Sequence, residues 1–126
     1  TTVKNGVTLN TIMSAEQIME CQEVITKLPV TDNVLQYVVS LVAKTRPNSD
    51  IAAEVVKQYI EWGAGPRASQ FMLMAAKCHA AINGKYAPDI EDVKAVAKPI
   101  LRHRIVMNYK AEAEGMSIDK IIESIL

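Results

Sequence analysis

Arg67 is the residue whose type and setting most clearly point to chemistry. It follows two glycines and a proline in Gly63-Ala64-Gly65-Pro66-Arg67-Ala68, at the predicted start of the most apolar helix in the chain. A helix start carries partial positive charge and ordinarily attracts Asp or Glu. An arginine there suits a place where an anion also arrives, met by the helix N–H groups and the guanidinium together. Phosphate is the anion that such a site fits best. The same residues also read as a Gly-Pro helix start followed by a solvated arginine, and the local sequence leaves both readings open.

Other chemistry-bearing residues point less clearly. His79 falls on an apolar helical stripe, as a satisfied core histidine would. Arg102-His103-Arg104 is a small basic cluster, which suits either the negative end of a helix dipole or a contact with a phosphate or a subunit. Glu54, Glu61, Glu91 and Asp92 show no pairing that suggests acid–base work; capping and solvation account for them. Met72 and Met74 read as core. Cys21 and Cys78 have no CxxC spacing and no histidine at ligand distance in sequence, so both are expected as buried free thiols and no metal ligand is expected. GxxxxGK[ST], HExxH and GxSxG are all missing. No convergent catalytic constellation is present in the sequence.

Helices must position these residues. Ser14 with Gln17 makes a capping box for a helix whose Ile18, Cys21, Ile25 and Leu28 share one face until Pro29. Thr31 or Asp32 opens the next, with Val34, Leu35, Val38, Leu41 and Val42 as its stripe, ending before Pro47. Residues 49–62 fit a short helix weakened by β-branched residues. After Gly65, Ala68, Phe71, Met72, Ala75, His79 and Ile82 define a face, with Asn83-Gly84 as a left-handed stop. Asp89 with Asp92 caps a helix carrying Ile90, Val93 and Ala97, kinked or restarted at Pro99. Ser117 begins a last helix in which Ile118, Ile121, Ile122 and Ile125 recur at helical spacing. No run alternates as a strand must, so the expected fold class is all-α, a small helical bundle. Residues 1–13 lack helical period and are expected to be an extended or frayed segment; residues 14–126 form the helical domain.

Composition narrows the function. The 126 residues are 49% hydrophobic and 22% charged, with 14 basic and 14 acidic side chains. That is one ordinary globular domain, long enough to bury a core without disulfides or metal. A zero formal charge excludes the basic face of a dedicated nucleic-acid module, and 5% aromatics leaves little for base stacking. No apolar run is long enough to span a bilayer and no signal peptide is apparent, so a cytoplasmic setting is expected.

Taken together, the segments resemble the lid region of MoxR-type AAA+ ATPases. Glu61-Trp62-Gly63-Ala64-Gly65-Pro66-Arg67-Ala68-Ser69-Gln70 is similar to the sensor 2 motif of that family. Leu41-Val42-Ala43-Lys44-Thr45-Arg46 resembles the end of the helix before it, and Gly84-Lys85 with Glu91-Asp92-Val93 resembles the inter-helix turn. Leu101-Arg102-His103-Arg104-Ile105-Val106 and Ala111-Glu112-Ala113-Glu114-Gly115 are similar to the C-terminal signature. Asp89-Ile90 departs from the Thr-Pro that commonly opens the penultimate helix, although Asp89 can still cap.

The resemblance implies an AAA+ lid domain that closes over ATP held by a core domain of the same polypeptide. Arg67 would be the sensor 2 arginine facing the terminal phosphate, and Gly63, Ala64, Gly65 and Pro66 would line the nucleotide. The core would hold Mg2+ and perform hydrolysis, so this segment alone should not turn over ATP. The whole protein would be a chaperone-like, homo-oligomeric ring acting on a protein client. The rival reading is a free-standing helical adaptor that binds a protein partner.

Overall fold

The structure is a computed structural model describing residues 6–126. Seven helices and one two-stranded ribbon are present among the described residues: α1 (Ala15–Thr26), α2 (Asp32–Lys44), α3 (Glu54–Tyr59), β1 (Ile60–Trp62), α4 (Pro66–Ile82), α5 (Ile90–Leu101), β2 (Val106–Met107), α6 (Tyr109–Ala113) and α7 (Ile118–Ile125). The expected helical bundle is therefore present, with an antiparallel ribbon added. Ile60 pairs with Met107 and Trp62 with Val106 across an irregular register. The β-branched residues that weakened the helix over 49–62 have their explanation here, since that segment is a six-residue helix running straight into a strand. Residues 6–13 carry no helix or strand and are exposed, while residues 1–5 of the expected N-terminal segment lie outside the described residues.

Helix α4 is the centre of the bundle, packed on α5, α2 and α1. Its buried face is Ala68, Met72, Ala76 and Ala80, an i, i+4 stripe in which three of four side chains are methyl groups. Small side chains let neighbouring helix axes approach closely, so this face is the one covered on both sides. Of the expected face, Ala68 and Met72 are buried, while Phe71, Ala75, His79 and Ile82 are not, so the buried stripe is displaced by part of a turn. Phe71 is 49% exposed and Ile82 is 85% exposed. Hydrophobicity alone does not separate the two faces of so apolar a helix; the small residues do.

Helices α2, α5 and α7 supply most of the remaining core through Val34, Val38, Leu41, Val42, Val93, Ala97, Leu101, Ile121, Ile122 and Ile125, with Ala52, Val56, Ile60, Ala64 and Ile105 completing it. The capping boxes Ser14–Gln17 and Asp89–Asp92 are both formed. Gly84, at φ 74°, reverses the chain after α4. Its N–H bonds the Ala81 carbonyl at 3.0 Å and the Lys85 N–H bonds the Ala80 carbonyl at 2.9 Å, the paired bonds of a Schellman stop that requires left-handed backbone. Pro99 lies inside α5 without ending it.

Helix α1 departs from expectation. None of its residues is buried, and Cys21 is exposed while Cys78 is half-buried. Both cysteines are free, but they are not core thiols. The α1 face read from the sequence does turn toward α4; Ile18, Cys21 and Ile25 meet Met74, Cys78 and Ile82 across an open apolar groove of about 690 Å³. Periodicity identifies the face but not whether enough chain covers it. No helix among the described residues is long and apolar enough to cross a membrane.

Candidate functional site at the start of helix α4

The turn that delivers Arg67 is fixed to the end of α2. A Cβ on Gly63 would lie 2.5 Å from the Thr45 carbonyl oxygen and 2.6 Å from the Arg46 Cα, so only glycine fits there. The Ala64 N–H donates to the buried Thr45 hydroxyl oxygen at 2.9 Å, and that hydroxyl donates to the Val42 carbonyl at 2.6 Å. From the other side, Arg46 Nε donates to the Ala64 carbonyl at 2.8 Å. The Ala64 side chain is fully buried. Gly63 and Ala64 thus pack closely on the end of α2, with Gly63 half-buried at the edge of a separate open cavity, and they set the angle at which the motif leaves the core.

Beyond Ala64 the motif opens outward. Gly65 is the N-cap, with extended backbone and no side-chain cap, and Pro66 occupies the first helical position, where its missing N–H costs nothing. Nothing stands within 4 Å of where a Gly65 Cβ would be. Arg67 is exposed and makes no ion pair among the described residues. The other six helices each carry an acid in the first turn; α4 has none. Gly65, Pro66, Arg67 and Ala68 line an open cavity of about 420 Å³, and Arg104 reaches it from the segment after α5.

The basic cluster therefore divides. Arg102 turns away to α7 and forks onto Asp119, at 2.8 and 2.9 Å; this pairing holds the Asp119 carboxyl below its ordinary range. Arg104, two residues on, turns toward α4. Its Nη1 donates to the Ile100 carbonyl at 2.9 Å and also faces His103 Nε2, while its guanidinium lies 4.9 Å from the centre of the Phe71 ring. The Ile100 bond fits the dipole reading of this cluster, and Arg104 is also one of the residues lining the Arg67 cavity.

At the far end of α4 the charges are closed. Asp92, 2% exposed, accepts from His79 Nδ1 at 2.7 Å, Lys85 Nζ at 2.6 Å and the Asp89 N–H at 2.8 Å. Burial works against ionisation, but the bonds from Lys85, Asp89 and His79 outweigh it and hold the carboxyl well below the usual carboxylate range. His79 is satisfied as expected, though by a partner and at 41% side-chain exposure rather than in the core. Capping alone did not reveal Asp92 as the junction of α4, the turn and α5.

Residues 52–125 match the model of the AAA lid domain family. The chain is 32% identical over 115 residues to Chaperone MoxR1 of Mycobacterium tuberculosis (strain ATCC 25618 / H37Rv), covering 91% of this chain and 30% of that protein. It is 24% identical over 119 residues to the uncharacterized protein YeaC of Bacillus subtilis (strain 168), covering 94% of this chain and 34% of that one. A crystal structure from Cytophaga hutchinsonii ATCC 33406, of a protein provisionally named an ATPase, superposes with a TM-score of 0.82 at 37% identity, covering 87% of this chain and 33% of that one. The chain thus spans about a third of the length of the proteins it matches. With the fold, the turn and these relatives in agreement, the chain belongs to the AAA lid domain family and is a lid of the MoxR type of AAA+ ATPase.

Proposed function

We propose that this domain closes over ATP held by an α/β core of the same polypeptide, and that Arg67 is its sensor 2 arginine, directed at the terminal phosphate. One observation carries the reading: Arg67 is an exposed cation with no ion pair among the described residues, on a turn fixed to the core, facing an open cavity that none of the described acids lines. Fixing the turn spends no ligand-binding energy on ordering it. Pro66 has no N–H and that of Ala68 is bonded to the Gly65 carbonyl at 3.0 Å, so the planar Arg67 guanidinium, beside the positive end of the helix dipole, is the group that suits phosphate oxygens. Pro66 and Gly65 contribute by presetting the first turn and leaving it uncluttered; Gly63 and Ala64 contribute by anchoring the turn that brings the motif to the nucleotide.

No cluster of three metal-type ligands occurs among the described residues, and the role of holding Mg2+ beside the phosphates falls to the core. ATP supplies the phosphoryl bond to be broken; this chain's residues orient and neutralise its charge. The parent is a chaperone-like remodelling ATPase acting as a homo-oligomeric ring in the cytoplasm, as MoxR-type membership supports. That membership favours a lid over a free-standing adaptor.

The test is Arg67→Ala and Arg67→Lys in the complete ATPase. Turnover should fall by about 10²–10³ in Arg67→Ala, as when one preorganised group is removed from a developing charge. Arg67→Lys should recover only part, because it keeps the charge but loses the fork. Unchanged turnover in Arg67→Ala overturns the assignment.

A further inference from the structure

Four arginines are present in the sequence, and the structure uses them in two ways. Arg102 is closed onto Asp119, and Arg46 is spent on the Ala64 carbonyl. Arg67 and Arg104 have no carboxylate partner among the described residues, and both line the same cavity. The chain has as many acids as bases, yet none lines this cavity. Two like charges facing one space repel each other, so the arrangement is favourable once an anion of more than one charge enters it.

Arg104 is also prepared for that anion. Phe71 lies one helical turn beyond Arg67 on α4, and its ring carries the Arg104 guanidinium at 4.9 Å. The Ile100 carbonyl takes one N–H at 2.9 Å. The same Nη1 also faces His103 Nε2, so of the five donors in the rigid guanidinium plane those on Nε and Nη2 are left for a ligand while the plane is already ordered. Arg67, by contrast, is held only by its backbone.

We infer that Arg104 is a second phosphate-contacting residue, which with Arg67 clamps the polyphosphate of a nucleoside triphosphate. The inference rests on the Arg67 reading above and deepens it. Two guanidinium groups match the charge and oxygens of the β- and γ-phosphates, whereas a single arginine matches one phosphate. Loss of the γ-phosphate leaves one of the two without a partner, so the clamp favours the triphosphate over the diphosphate and ties lid closure to hydrolysis.

The experiment uses the complete ATPase and an ATP analogue with a methylene β–γ bridge, which binds without turnover. Affinity for the analogue and for ADP is measured by calorimetry in wild type, Arg67→Ala, Arg104→Ala, Arg104→Gln and the Arg67→Ala/Arg104→Ala pair, with Tm recorded without nucleotide. Gln keeps a donor for the Ile100 carbonyl while removing the charge, which guards against an Arg104→Ala that merely loosens the fold. Both Arg104 variants should weaken the analogue about ten- to a hundredfold, with a clearly smaller loss for ADP. The double variant should lose less than the product of the single losses, because both groups hold one anion.

If Arg67→Ala weakens the analogue and Arg104→Gln binds as wild type, this inference falls and the Arg67 reading stands. Independent, multiplicative losses, or equal losses for ADP and the analogue, also overturn the clamp. If Arg67→Ala is silent, the sensor reading falls and the clamp falls with it.

Discussion

The two ends of helix α4 treat charge in opposite ways. At its C-terminal end a carboxylate, a lysine and a histidine from three segments are closed upon one another, with Asp92 buried and every contact internal. At its N-terminal end two arginines line an open cavity that no acid among the described residues lines. A closed cluster can act only on the fold, by joining α4 to α5. At the open end Arg104 is tied to the fold through Ile100 and Phe71, whereas exposed Arg67 makes no ion pair among the described residues, so its removal should act little on the fold. The same helix core, Ala68 through Ala80, keeps the two ends rigidly related.

The largest stability effect should therefore come from the closed end. Asp92→Ala removes a capping partner and the bonds from Lys85 and His79, and should cost about 2–4 kcal/mol in urea unfolding. Arg67→Ala should stay within about 0.5 kcal/mol, as exposed substitutions away from such features do. Equal losses at the two ends would break the comparison.

Acid sharpens the same contrast. The folded Asp92 carboxyl is depressed below the roughly 3.9 of an unfolded Asp, so below about pH 5 the unfolded chain binds more protons. Asp92 thus contributes fully above that pH, and its contribution is lost as pH falls toward the lower folded value. Stability measured from about pH 5 down to pH 2 should fall more steeply in wild type than in Asp92→Asn. Parallel slopes would show that Asp92 is not the group responsible.

Much of this was legible because it is local. Capping boxes, the Gly84 stop and the isoleucine stripe of α7 are each set by residues within a turn or two of one another. Arg67 was legible as an unusual residue for a helix start, and so was the motif around it. What escaped depends on contacts distant in sequence. Gly63 faces Thr45, eighteen positions earlier, and the ribbon joins residues 60–62 to 106–107. Arg102 and Arg104 look alike in sequence, but one is closed by Asp119 and the other is drawn to Phe71. The cysteines were misplaced for a related reason: a stripe on α1 records an apolar face but not that α1 lies at the edge of the bundle with a groove beside it.

The open end still has to be held in place, and its two glycines separate holding from presenting. Gly63→Ala drives a methyl group into backbone at 2.5–2.7 Å, which no side-chain rotation can relieve. It should cost about 1–3 kcal/mol, the range for overpacking, and should reduce turnover of the complete ATPase by displacing Arg67 without touching it. Gly65→Ala should have the smallest effect of all. Its backbone, at φ −87° and ψ −179°, suits any residue, and its Cβ meets open space. Restricting the unfolded chain stabilises by about 0.4–1 kcal/mol, while alanine is a poorer N-cap than glycine by a similar amount, so the net change should lie within about 0.5 kcal/mol. Any larger effect of Gly65→Ala belongs to the ligand, since no protein atom stands within 4 Å of the added methyl group. Unchanged stability with weakened ATP binding would support an approach of the phosphates to the backbone at Gly65, while unchanged binding would leave the proposed contact with the two arginines alone.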